Sequence, residues 1–361
     1  MTSRRQFLAG LAATTLSPIR SWASVGAPDF LAAGLFPDGS YRLAGLDAQG
    51  TILFSVPLPA RGHAAAAHPF KAQAVAFARR PGTFAVVIDC GTGSPIAQLE
   101  APKGRHFFGH GVFSADGMYF FVTENDYEAG EGIIGIWDAE TFARLGEFPS
   151  GGVGPHDMRL MPDGNTLVIA NGGIETHPET GRTKLNLPTM EPNLAYLTLS
   201  GTVQDQMSLS HRLHKNSIRH LAVRQDGLVG FAMQWQGSKA EHPPLLGLHR
   251  RGEDPRLLSA PEQDQSTLQG YAGSIAFSAD GATIAITCPR GNALHRFDSA
   301  YGAFKDAFEL QDVCGLGSGA DGLIFTTGTG VFGELTNTDP VIQTRAKCQW
   351  DNHLIPIHSP A

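Results

Sequence analysis

Six Asp-Gly pairs punctuate the chain, at Asp38-Gly39, Asp116-Gly117, Asp163-Gly164, Asp226-Gly227, Asp280-Gly281 and Asp321-Gly322. Each falls between two short apolar runs of strand type. Gly accepts the positive φ that a tight turn demands and Asp tolerates it, so such pairs are strong hairpin signals. Pro81-Gly82 supplies a seventh turn in the widest gap, giving successive spacings of 43, 35, 47, 63, 54 and 41 residues. Seven hairpins at this pitch, with almost no helical periodicity, predict an all-β fold, a seven-bladed β-propeller.

The first residues carry a different message. Ser3-Arg4-Arg5-Gln6-Phe7-Leu8 precedes a modest apolar stretch and then Ser21-Trp22-Ala23, a small-x-small cleavage pattern. This is the pattern of a twin-arginine signal peptide, residues 1–23, with the propeller over 24–361 and the periplasm as destination. The apolar core is too short to span a bilayer, so no stable membrane span is expected. Removing residues 1–23 leaves 24 basic against 34 acidic side chains, a net charge of −10. That balance argues against nucleic acid and anionic membrane as partners. Cys90, Cys288, Cys314 and Cys348 lack any C-x-x-C spacing, which argues against a zinc ribbon or a thioredoxin-like motif. Buried thiols are expected, with Cys288 to Cys314 or Cys314 to Cys348 as the candidate disulfides.

Blade three is the clearest, with predicted strands Gly111 to Ser114, Met118 to Thr123, Ile133 to Asp138 and Ala143 to Phe148. Blade four contains a polar insertion, residues 174–193, and a long structureless segment in a compact domain is usually functional. The terminal segment Gln349 to Ile357 is placed to close the ring, either alone or paired with Phe30 to Phe36. Pairing strands from both ends would remove exposed edges.

A propeller's innermost strands line an axial funnel. His110, His156 and His220 stand six, seven and six residues before their turn aspartates, so all three are expected at one face. Second-strand ends add Asp89, Glu124, Asn125, Asn171, Gln234 and Arg290, and the insertion adds Glu175, His177, Arg182 and Lys184. Three imidazoles with a carboxylate suit a divalent metal, so His110, His156, His220 and Glu124 are the expected ligands, with iron or copper foremost. Asn125, Asn171, Glu175, His177, Arg182, Arg219, Gln234 and Arg290 are the expected ligand-binding residues. His63 is a candidate to join the ring, while His68-Pro69 reads as loop. The competing readings are a polar funnel without metal and histidines that only brace the blades. No serine stands in a nucleophile elbow, and no glycine-rich loop opens a helix, so neither serine hydrolysis nor a nucleotide cofactor is expected.

Several stretches together resemble a known family. They are Gly104 to Gly111 (GRHFFGHG), Thr123 to Glu128, Pro155-His156-Asp157, Ala170 to Pro178, Ser217 to Leu221, Pro289-Arg290-Gly291 and Trp350-Asp351-Asn352-His353. The likeness is to exported bacterial seven-bladed propellers catalogued as a domain of unknown function, and it covers essentially the whole mature chain. The resemblance implies a genomic setting beside imelysin-like iron-regulated periplasmic proteins and di-haem peroxidase-like proteins, and hence iron acquisition with periplasmic iron-uptake proteins as partners. It carries over no catalytic residue. The expectation is a periplasmic protein binding a metal ion or a small metal-containing ligand, an iron chelate or haem, at the funnel. The basic residues Arg182, Lys184, Arg219 and Arg290 would meet its carboxylates. A metal-dependent oxidoreductase or lyase with Glu124 as base, and a protein-docking scaffold, are the alternatives.

Overall fold

The computed structural model describes residues 20–79, 83–181, 183–320, 322–336 and 338–357. Among them, 28 strands form seven four-stranded antiparallel sheets. Each sheet is a blade, and the innermost strands of successive blades contact one another around a closed ring. Blade one takes its innermost strand, Gln349–Pro356, from the end of the chain and its other three from the beginning. Phe30–Leu35 pairs antiparallel with Gln349–Pro356, so the ring closes with strands from both ends and leaves no open seam.

Burial follows radius. Second strands are packed on both faces by neighbouring blades, as in Gln73–Ala78 and Thr166–Asn171, where every residue is buried. Outermost strands alternate between half-buried and exposed positions, as in Phe304–Glu309. Fully buried strands therefore read as continuous apolar runs and rim strands as alternating ones. No helix among the described residues is long and apolar enough to cross a membrane.

The Asp-Gly turns work as their chemistry requires. Gly117, Gly164, Gly227 and Gly281 adopt φ of 70°, 68°, 82° and 67°. The aspartates accept from amides two residues on, for example Asp116 from Met118 at 2.9 Å and Asp280 from Ala282 at 3.0 Å. Two of the seven expected turns, however, do a different job. Asp38-Gly39 joins the second and third strands of blade one, because the closing strand from the C-terminus displaces its strand count by one. Pro81-Gly82 lies outside the described residues, in the segment joining the second and third strands of blade two, Gln73–Ala78 and Ala85–Asp89. The Asp38-Gly39 connection therefore faces the opposite side of the disc from the inner turns. The same displacement puts Asp89 at the end of a third strand, where it caps Gly91 rather than facing the funnel mouth. Blade two makes its inner turn with His68, whose Nδ1 accepts from the Phe70 and Lys71 amides at 3.0 Å each, an imidazole in the place of an aspartate.

Residues 1–19 of the expected export signal lie outside the described residues. Trp22 is buried, 3 % exposed, and its indole donates to the His68 carbonyl at 2.7 Å. A cut after Ala23 would thus remove a ring that packs on blades one and two. All four cysteines are buried and unbonded, so neither candidate disulfide is formed. Burial pushes the Cys288 thiol up to about 11 and the Cys314 and Cys348 thiols to about 12.

Candidate metal centre in the funnel

The inner strands of blades one to five are Gln349–Pro356, Gly62–Ala67, Arg105–Phe113, Pro155–Leu160 and Asn216–Val223. Each carries one funnel histidine: His353, His63, His110, His156 and His220. Each is also irregular where that histidine stands. The pairing register shifts between Gly62 and Ala65, between Phe107 and Gly111, between Pro155 and Asp157 and between Ile218 and His220. On the closing strand the shift falls between Trp350 and Leu354, so Asp351 to His353 leave the ladder. A bulge breaks the strict alternation of side chains and re-aims a residue that the pleat would turn elsewhere. Blade three also needs Gly109, whose φ is +103° and where a Cβ would lie 2.7 Å from His63 Cδ2.

The five rings form one cluster. His110 is its hub, with ring centroids 4.9 Å from His63, 5.2 Å from His156, 6.1 Å from His220 and 4.8 Å from His353. Around it, His63 lies 4.6 Å from His353, and His220 lies 4.8 Å from His156 and 4.9 Å from His353. Two triplets, His63/His110/His156 and His110/His220/His353, each bring one nitrogen per ring within 4.8 Å of the others. His110 Nε2 and His63 Nε2 are 3.2 Å apart. Two ring nitrogens at that distance either share one proton or share one cation.

The surroundings set the tautomers. Asp157, buried beside His156, accepts from His110 Nδ1 at 3.2 Å, which leaves the His110 Nε2 lone pair toward His63. His156 Nδ1 lies 3.1 Å from the Arg219 carbonyl, which can only accept, so its Nε2 is also a lone pair. This is the outer-shell arrangement that orients metal-binding imidazoles. Burial alone would raise the Asp157 carboxyl, but Arg159 and His110 outweigh it and hold it below its ordinary range. Burial, followed by neighbouring imidazoles and arginines, holds His63, His156 and His353 well below the usual imidazole range and brings His220 down to about 3. Those four imidazoles are therefore kept neutral, the form in which imidazole coordinates metals.

Most telling are the unpaired atoms. His63 Nδ1, both nitrogens of His220 and His353 Nε2 are buried without a hydrogen-bond partner. Buried polar groups are nearly always satisfied, and leaving one unmade costs about 1–3 kcal/mol.

The sequence-predicted residues divide. His110, His156 and His220 come together. Glu124 does not join them: it is fully buried on the flank of blade three, where Oε2 pairs with Arg144 at 2.9 Å and lies 3.9 Å from Arg105. Its register opposite Phe107, ahead of the bulge, aims it outward over Gly135 instead of into the funnel. Asn171 is locked in a structural network, accepting from Ser150 Oγ at 2.7 Å and donating to Asn193 at 2.9 Å. Asn125 donates to the Thr176 carbonyl at 3.0 Å and meets His106, holding the insertion to blade three. His177 caps the short turn Pro178–Thr180 and packs on Tyr127, and the Glu175 amide donates to Asn186. None of these four faces the cluster. Gln234 bonds the Ala272 carbonyl at 3.2 Å, Arg290 stacks on Tyr271, and Arg219 adjoins His220 at the bulge. Arg182 lies outside the described residues.

His353 and Asp157 are the site residues that motif reading did not assign. The signal for His353 was present, since a terminal strand that closes a propeller is an inner strand and so presents side chains to the funnel.

A seven-bladed propeller with a histidine-lined funnel is the class that fold and site define. The chain belongs to the family described as "Protein of unknown function (DUF1513)", whose model matches residues 56–357. Among solved structures it is similar to the Kuenenia stuttgartiensis hydrazine synthase, with a TM-score of 0.60 and 13 % identity over 85 % of this chain and 89 % of that one. At that identity the likeness is one of fold alone. No curated protein matches the sequence.

Proposed function

We propose that the funnel holds a transition-metal ion on the imidazoles of His63, His110, His156, His220 and His353. The observation that carries this reading is the convergence of five imidazoles from five blades, three of which, His63, His220 and His353, bury ring nitrogens without a hydrogen-bond partner. A donor set of neutral nitrogens suits copper, zinc, nickel and iron, and the general order of divalent affinities puts copper first. Neighbouring rings stand 4.6 to 6.1 Å apart, a spacing suited to a bare ion and too close for a macrocycle between them, which favours an ion over haem. The role in iron acquisition rests on the family resemblance and is the physiological extension of this reading.

The test is elemental analysis and metal titration of the full chain beside a His110→Ala/His156→Ala/His220→Ala variant of equal thermal stability. Near-stoichiometric metal in the native protein and none in the variant is the expected result. No uptake by the native protein of copper, iron, zinc or nickel would end the proposal.

A further inference from the structure

Above the histidines, the funnel mouth is electrically lopsided. On the side of blades one and two, Arg61 and Arg79 are both spent on Asp351, at 2.6 and 2.5 Å. On the opposite side three cations gather, Lys184, Arg219 and Arg290. Lys184, on the blade-four insertion, bonds the amide oxygen of Gln236 at the end of blade five's second strand. Arg290, beyond blade six's second strand, lies over the Tyr271 ring at 4.3 Å. Arg219 occupies the bulge beside His220, its Nε passing 3.5 Å from where a Gly172 Cβ would stand, at the root of that insertion. Among the described residues, neither Lys184 nor Arg290 has a carboxylate within ion-pair distance. The Lys184 ammonium is pushed down by burial and by Arg219 and Arg290, so the three feel one another.

The cationic arc is tied to the metal candidates through its scaffolding. Tyr271, which supports Arg290, receives a hydrogen bond from Asn352 at 3.1 Å, and Asn352 precedes His353. Arg219 offers its carbonyl to His156 and is followed by His220. His220, at 3 % exposure, and His353, at 4 %, present unpartnered nitrogens below this arc. Lys184 and Arg290, set beside the Arg219 cation and without a carboxylate of their own among the described residues, are stabilised when an anion joins them. Arginine and lysine heads are the groups that recognise carboxylate oxygens.

We infer that Lys184, Arg219 and Arg290 form the docking site for a small polycarboxylate that chelates the funnel metal, so that the protein takes the metal together with an anionic organic ligand. This rests on the metal reading for its chelate half, while the anion site stands on the mouth alone. The natural probe is citrate, which presents several carboxylates, with acetate as the monoanion control. Both are titrated calorimetrically into metal-loaded and metal-stripped full chain and into a Lys184→Gln/Arg290→Gln variant whose metal content and melting temperature are measured alongside. Expected is citrate binding to both forms of the native protein, tighter in the loaded form, and weakened at least about tenfold in the variant. Native-like citrate affinity in the variant, or citrate binding no better than acetate, overturns the proposal. If the native protein takes up no metal, the metal reading fails by itself, and the stripped-protein titration still decides the mouth.

Discussion

The two arcs of the funnel wall use the same backbone device to opposite ends. On blades one to five, bulged inner strands turn histidines toward the axis, and on blades one, two and five they leave ring nitrogens unpaired. Blade seven is bulged as well, between Val313 and Leu316, yet everything the bulge frees is consumed at once. Its Gly315 amide donates to Thr326 Oγ1 at 3.2 Å, the Cys314 carbonyl accepts from Thr287 Oγ1 at 2.6 Å, and the Cys314 thiol rests on the carbonyls of Thr326 and Trp350. Blade six, Ser274–Phe277, pairs without any shift, and Ser274 Oγ accepts the Leu316 amide at 3.2 Å. A bulge is thus an opportunity rather than a site. Only where it releases a side chain that its neighbours cannot satisfy does it create a demand for a ligand.

The sharpest way to break this comparison is to remove the hub on one arc and its counterpart on the other. His110→Ala is expected to weaken metal binding by more than about 100-fold, beyond the range typical of outer-shell losses, as read by competition against a chelator. Ser274→Ala should leave that affinity unchanged. Equal losses in the two variants would show that the arcs do not differ in function. One step smaller is Asp157→Asn, which weakens the acceptor that fixes His110 Nδ1. A drop of about 10- to 100-fold in metal affinity is expected, with the Leu221 amide at 2.9 Å still offered an oxygen.

How far this was legible in the sequence follows from the same contrast. Turns such as Asp116-Gly117 declare themselves because their chemistry is local, and four described Asp-Gly turns, at Asp116, Asp163, Asp226 and Asp280, mark first hairpins as read, while Asp321 lies outside the described residues. Asp38-Gly39 misled because strand order in blade one depends on a partner more than 300 residues away. His110, His156 and His220 share an offset from their turns and could be aligned. His353 has no turn aspartate after it, and blade two replaces that aspartate with His68, so His63 has no ruler either. Asp157 hid behind alternation: adjacent strand residues should face opposite ways, and only the bulge lets His156 and Asp157 serve one cluster. The predicted strands of blade three began at Gly111, whereas the strand begins at Arg105 and is interrupted, which no period-two pattern announces.

Backbone geometry gives the next test in size. Gly109→Ala places a side chain at φ +103° and 2.7 Å from His63, whereas Gly39→Ala meets φ +78° with open space around it. About 1–3 kcal/mol of destabilisation is expected at Gly109, less at Gly39, and only Gly109→Ala should also lower metal affinity. Acid supplies a related measurement. The His220 imidazole, ordinarily near 6.5, is lowered to about 3 by burial first and His110 second. Below 6.5 the unfolded chain therefore binds a proton that the folded chain refuses, and stability falls by about 1.4 kcal/mol per pH unit from this residue alone. Above 6.5 the contribution is flat. Urea midpoints at pH 7.5 and 5.5 should differ, and the difference should shrink in His220→Gln; an unchanged slope would show that His220 is not kept neutral by the fold.

The smallest expected effect on the metal comes from the carboxylate that looked most like a ligand. Burial pushes Glu124 up to about 7, with Arg144 and Arg105 pulling the other way. A carboxyl raised in the fold favours its protonated form, so its contribution to stability is intact below its ordinary value and is lost as pH rises toward 7. Glu124→Gln keeps the shape and removes the titration, and should flatten that decline while leaving metal affinity untouched. Arg144, at 2.9 Å from Glu124, would keep Glu147 at 2.8 Å as its other partner, so the loss of folding stability is about 1–3 kcal/mol at most. A fall in metal affinity would instead tie the flank of blade three to the funnel, through the strand pairing of Glu124 with Phe107 just ahead of the His110 bulge.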